Sequence, residues 1–158
     1  MTSTSLPRYC LIACSATKAP VAAPAASLYR GDLFRKALAW AQRGGFTEVA
    51  VLSAKHGLVP LHQVVEPYDD SLTSATMLER RRWAARVLAS LQQRWPLAEA
   101  CEVTLMAGRL YTEPLVALLM AAAPRTHVRR PLAGLGIGQQ KAWLANRLRG
   151  GLAPGING

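Results

Sequence analysis

Short apolar runs that fit a buried strand alternate with longer amphipathic stretches that fit a helix, and no feature of the chain constrains its fold more. Residues 9–14, 48–53 and 101–107 are apolar runs of strand length, and 126–129 is a short fourth. Between and after them, 32–42, 74–94, 113–123 and 139–149 repeat apolar residues at helical spacing. Asp32 sits in the first turn of the first helix, and Gly44 and Gly45 end it. Ser74 reads as the cap of the long helix, and Pro114 as a first-turn residue of the next. Residues 19–27, with two prolines among small side chains, read as a loop. Strands separated by helices are most simply parallel and joined by right-handed crossovers. The expectation is a single α/β domain over 1–150, three-layered, with a mostly parallel four-stranded sheet flanked by helices. Residues 151–158 are expected to be a flexible tail.

The 158 residues suit one domain, and 51% apolar content excludes a wholly disordered chain. The longest apolar run, 115–123, is far short of a membrane span. Residues 1–8 lack the basic and apolar regions of a signal peptide. Three cysteines, with no CxxC pair, point to a reducing, cytoplasmic setting rather than a disulfide scaffold. Cys10 and Cys14 lie about 13 Å apart by strand rise, too far to share a metal; no metal or other cofactor is expected.

Nineteen Lys and Arg against nine Asp and Glu leave a net charge of +10. Beyond Glu113 there is no acidic residue. A polyanionic partner follows, nucleic acid being the commonest, with DNA favoured over RNA; a solubilising arginine surface is the plainer alternative.

Ligands of open parallel sheets bind beyond the carboxyl ends of the strands. Polar, small and basic residues follow every expected strand here: Cys14, Ser15, Thr17 and Lys18 after the first; Ser53, Lys55, His56 and Gly57 after the second; Gly108 and Tyr111 after the third; Gly136 and Gly138 beyond the fourth. Lys18, Ser15 and Thr17 suit a phosphate or carbonyl. His56 suits a general base or a hydrogen bond to a base edge, or else is a satisfied structural histidine. Cys14 is a nucleophile if His56 activates it, and otherwise an inert packed thiol. Tyr68 suits stacking on a nucleobase, with Tyr29 and Phe34 as further lining residues. Asp69 suits activating water or stabilising a sugar cation, as N-glycosidic cleavage requires, or simply capping a turn. Arg80, Arg82 and Arg86 on the long helix form either a solvated face or a phosphate-tracking stripe, joined by Arg129, Arg130 and Lys141. Residues 135–142 are similar to the helix entry of a helix-hairpin-helix motif, whose free amides hold a phosphate.

These motifs also carry a family resemblance. Residues 14–18 (CSATK), 28–37 (LYRGDLFRKA), 52–58 (LSAKHGL) with Pro60, and 67–69 (PYD) resemble a bacterial domain family of unknown function. The Leu-Ser-x-x-x-Gly-Leu pattern of 52–58 with Pro67 and Tyr68 is also similar to the YaaA peroxide-stress family, which implies a basic DNA-binding cleft; His56 stands where that family carries Tyr, and Asp69 where it carries Arg. The Cys14-to-Lys18 element is similar to the catalytic core of archaeosine synthase, which implies modified guanine bases.

The expected function is therefore a DNA glycosylase-like enzyme acting on a modified or damaged base, with Asp69, His56 and Lys18 as catalytic residues. The alternatives are a non-enzymatic DNA- or RNA-binding domain and a free-nucleotide N-glycoside hydrolase or transferase.

Overall fold

The structure, a computed structural model, describes residues 6–150; the expected tail 151–158 lies outside them. In chain order the elements are β1 (Arg8–Ala13), β2 (Ala23–Pro24), α1 (Ala25–Leu28), α2 (Asp32–Arg43), β3 (Glu48–Ser53), β4 (Gly57–Pro60) and β5 (Val64–Val65). A 3-10 turn (Leu72–Ser74) precedes α3 (Met77–Arg94), β6 (Cys101–Met106), α4 (Arg109–Ala122), β7 (Thr126–Arg129) and α5 (Ile137–Arg149).

The main sheet has five strands in the order β4-β3-β1-β6-β7, parallel except for β4. The α/β class and the parallel core match the expectation. The strand count does not: residues 57–60, expected as loop, form an antiparallel edge strand on β3. Gly57 makes the reversal possible, since its φ of +74° suits a residue without a Cβ. Pro60 at the outer edge lacks an N–H that an inner strand would need.

Two apolar layers sandwich the sheet. Trp83, Val87 and Leu91 of α3 and Leu115 and Leu119 of α4 pack on one face. Phe34, Ala37, Trp40 and Ala41 of α2 and Leu144 of α5 pack on the other. Each fully buried Leu or Phe side chain contributes on the order of 1.5–3 kcal/mol. Trp83 is also anchored by its indole N–H, which donates to the Ser53 carbonyl at 2.8 Å.

Three helix starts differ from expectation. The cap of α3 is Thr76, not Ser74: its hydroxyl accepts from the Glu79 N–H, and the Glu79 carboxylate accepts from the Thr76 N–H. Helix α4 begins at Arg109, so Pro114 lies inside it. Helix α5 begins at Ile137 rather than Gln139. Residues 19–27, expected as loop, hold β2 and the single turn α1, and β2 pairs with β5.

The chain leaves β1 for β3 on one side and returns through α3 to β6 on the other. The order of the strands therefore reverses between β1 and β6. That crevice is the switch point at which such sheets bind ligands.

Candidate functional site

The loop leaving β1 is the wall between two cavities. Cys14, Ser15 and Ala16 line both. The loop is held by its own chemistry. The Ser15 hydroxyl donates to the Thr17 carbonyl (2.6 Å) and accepts from the Gly31 N–H (2.9 Å). The Arg30 N–H donates to the Thr17 carbonyl at 2.8 Å, and Lys18 bridges to Tyr29. A Cβ at Gly31 would stand 2.7 Å from the Ser15 hydroxyl, so this approach needs glycine.

The smaller cleft, about 120 Å³, is polar and is lined by Lys18, Asp69, Asp70 and Tyr111 beside the loop. Lys18 lies over the Tyr68 ring at 4.3 Å, an attraction between ammonium and ring face. The Cys14 thiol accepts from the Ala54 N–H at 3.4 Å and lies 3.4 Å from the Tyr111 hydroxyl. Burial, then the nearby Cys14, pushes the Tyr111 phenol pKa up, so it stays a neutral donor at neutral pH. Asp69 and Asp70 make no ion pair among the described residues, whereas Asp32, Glu48, Glu102 and Glu113 all do.

The larger cavity, about 420 Å³, fills the switch point. Its walls are mostly apolar: Ile12, Phe34, Met106, Leu132 and Ile137. Thr17, Asp32, Gly108, Gln140 and Lys141 supply the polar fringe. The N-terminal ends of α2, α4 and α5 reach it, each with a glycine at the N-cap and none capped by its own N-cap side chain.

Of the residues expected at the site, Cys14, Ser15, Lys18, Asp69 and Tyr111 share the small cleft. Cys14, Ser15, Thr17, Phe34, Gly108 and Lys141 share the large one. Tyr29, Ser53 and Tyr68 do not present their hydroxyls to either cavity's ligand space. Tyr68 bridges the Tyr29 hydroxyl (2.7 Å) and the Ser53 hydroxyl (2.6 Å) in the interior. Tyr68, expected to stack on a base, is buried, its ring flanked by Lys18, Tyr29 and the edge-on His56; it positions Lys18 instead. Ser15 and Ser53 spend their hydroxyls on backbone groups and on Tyr68.

Ala54, Lys55 and His56 form the β3–β4 turn, Gly57 begins β4, and His56 lines neither cavity. The His56 pKa is lowered, first by partial burial and then by Lys55, so the ring is neutral at neutral pH. Among the expected nucleic-acid contacts, Arg82 and Arg86 are exposed on α3. Arg129 pairs with Glu102 at 2.9 Å, Arg130 donates to the Thr112 hydroxyl at 3.2 Å, and Lys141 lies 3.8 Å from Asp32. Gly136 and Gly138 open α5 as expected. Arg80 joins Arg81 and Arg109 in a groove of about 280 Å³ between α3 and α4.

Sequence reasoning missed Asp32, Leu132, Gln140 and Arg109. Gln140 had a signal, standing just past the glycines that open α5; the others look like ordinary helix or loop residues until the chain is folded. No group of three or more His, Cys, Asp or Glu suited to a metal occurs among the described residues. No helix among them is long and apolar enough to cross a membrane.

No curated protein and no solved structure matches the chain. Residues 9–146, nearly all of the described fold including both cavities, match one family, and the chain belongs to that family of unknown function, DUF6884.

Proposed function

We propose that the protein acts on nucleic acid, DNA favoured, and hydrolyses the N-glycosidic bond of a modified or damaged nucleotide brought to the rim of the sheet. One observation carries this reading: the Asp69 carboxylate and the Lys18 ammonium share a small cleft whose wall is also the wall of a nucleotide-sized cavity. In the reaction the bond between C1′ and the base nitrogen breaks, and its electron pair leaves with the base. A water oxygen bonds to C1′, and Asp69 takes the water proton while stabilising the cationic sugar. The Lys18 ammonium faces the negative charge that develops on the leaving base or a flanking phosphate. Tyr111 offers a neutral hydroxyl to the same cleft. A bond shielded within a duplex requires the nucleotide to be extruded first. The basic charge supports a polyanionic substrate. The similarity of the Leu-Ser-x-x-x-Gly-Leu and Pro-Tyr pattern to the YaaA family supports DNA in particular.

The nucleotide-sized larger cavity favours a second reading, hydrolysis or transfer on a free nucleotide. Single- and double-stranded DNA carrying modified bases, and the matching free nucleotides, are incubated with wild type and Asp69→Asn, and released base is measured by mass spectrometry. Wild type is expected to release base from DNA. Asp69→Asn is expected to bind equally while release falls by about 100-fold or more, the scale of a lost general base. Release from free nucleotides alone moves the activity to the second reading. DNA binding without release of any base leaves a binding domain and overturns the enzyme.

A further inference from the structure

The glycosidic reading places chemistry in the small cleft and leaves the larger cavity unassigned. We infer that the switch-point cavity is a pocket for the flat ring of an amino-bearing nucleobase, such as adenine or cytosine; the inference rests on that reading in taking the ring to belong to a nucleotide.

Three observations meet here. The first is size and lining: about 420 Å³ behind Phe34, Met106, Leu132 and Ile137 is an apolar slot of ligand-pocket dimensions.

The second is Gln140. Its side chain lines the cavity while the residue is 7% exposed. The amide nitrogen donates to the Leu135 carbonyl at 2.9 Å, which fixes the amide's orientation and leaves its oxygen as an acceptor with no protein donor. That oxygen is not sealed in. Among the described residues the one buried side-chain N or O atom without a partner is the Trp40 indole nitrogen. The Gln140 oxygen therefore stays accessible, on a residue that lines the cavity.

The third is Gly108, the N-cap of α4. Its φ is −74°, which any residue adopts, and a Cβ there would meet nothing within 4 Å. Neither backbone conformation nor packing within the chain calls for glycine. A Ser, Asp or Asn at this position would cap the helix; glycine instead leaves this stretch of the cavity wall without a side chain.

An acceptor on α5, across a slot left open at Gly108, complements a flat ring that carries an amino group. A keto base sets oxygen against the Gln140 oxygen, and buried polar groups left unpaired are costly. The same ring can come from a free nucleotide or from a nucleotide extruded from a strand.

The test is calorimetric titration of the full chain with adenosine 5′-monophosphate, inosine 5′-monophosphate, single-stranded oligo-dA and single-stranded oligo-dT. The amino-bearing member of each pair is expected to bind at least about tenfold more tightly, the scale set by one unpaired buried polar group. Gly108→Ala is the decisive variant, because the added methyl meets no protein atom. Its thermal midpoint should stay at or slightly above wild type, while affinity for the amino-bearing probes falls at least about tenfold, the scale of overpacking by one methyl, because that methyl stands in the open slot. Preference seen only with the monophosphates identifies a free nucleotide as the source; preference only in the oligonucleotides identifies a strand. Equal affinity for amino and keto probes, no saturable binding of any probe, or full affinity in Gly108→Ala overturns the inference. Base release that depends on Asp69 but shows no amino preference would sink this pocket and leave the glycosidic reading standing. Amino-selective binding without base release would do the reverse.

Discussion

The Ser53 hydroxyl is the hub of the site's support. It accepts from the Lys55 N–H at 3.2 Å and the His56 N–H at 2.9 Å, which fills both lone pairs. Its own proton therefore goes to Tyr68 at 2.6 Å, and Tyr68 donates onward to Tyr29 at 2.7 Å. Burial, the largest cause, raises the pKa of both phenols and keeps them neutral, as this order of protons requires. One side chain thus fastens the β3–β4 turn to the loop that carries Asp69. Tyr68→Phe keeps the ring under Lys18 but strands the Ser53 and Tyr29 hydroxyls. It should cost about 1–3 kcal/mol, the scale of buried groups left unpaired; urea unfolding reads it, and an unshifted midpoint would show the chain of hydroxyls is not structural. Sequence position marked Ser53 as a polar residue at a strand end and Tyr68 as an aromatic on the loop before the long helix. It did not show that they face each other, because a hydrogen bond spanning fifteen residues is a product of packing.

At the scale of elements, the strongly periodic pieces were legible and their ends were not. Alternation of apolar runs located β1, β3, β6, β7 and the four long helices, since burial of one face demands that pattern. The start of α3 shows why ends are harder. Ser74 and Thr76 are both capping residues by type. Thr76 wins because Glu79 stands three positions on and closes the reciprocal pair, while Ser71 begins a separate 3-10 turn before it. Thr76→Ala should cost about 0.5–2 kcal/mol and Ser74→Ala much less, by thermal or urea unfolding; equal effects would contradict the capping assignment. Strand β4 was illegible for another reason. Four residues ending in proline carry too little alternation, and the strand exists because β3 offers it an open edge.

Over the whole molecule, charge and topology work together. Arg8, Arg94 and Arg129 pair with Glu48 or Glu102, acids on two of the strands. At the opposite rim, Arg80, Arg81 and Arg109 gather between the starts of α3 and α4. If that groove tracks a phosphate backbone, DNA affinity will fall steeply with salt. The double variant Arg81→Ala with Arg109→Ala should then reduce the slope of log K against log salt by about 2, roughly one per lost phosphate contact. Fluorescence anisotropy across a salt series measures it, and an unchanged slope would remove the groove from the interface. The sequence by itself determined the α/β class, the parallel core and the rim at which polar segments collect, because periodicity and strand order follow from local burial and chirality. Tertiary structure alone decided that the β1 exit loop divides two cavities, that Tyr68 turns inward while Asp69 stays at the rim, and that Gln140 and Gly108 face one space. Those choices depend on which side chains meet across distant segments, and no local pattern in the chain encodes a meeting.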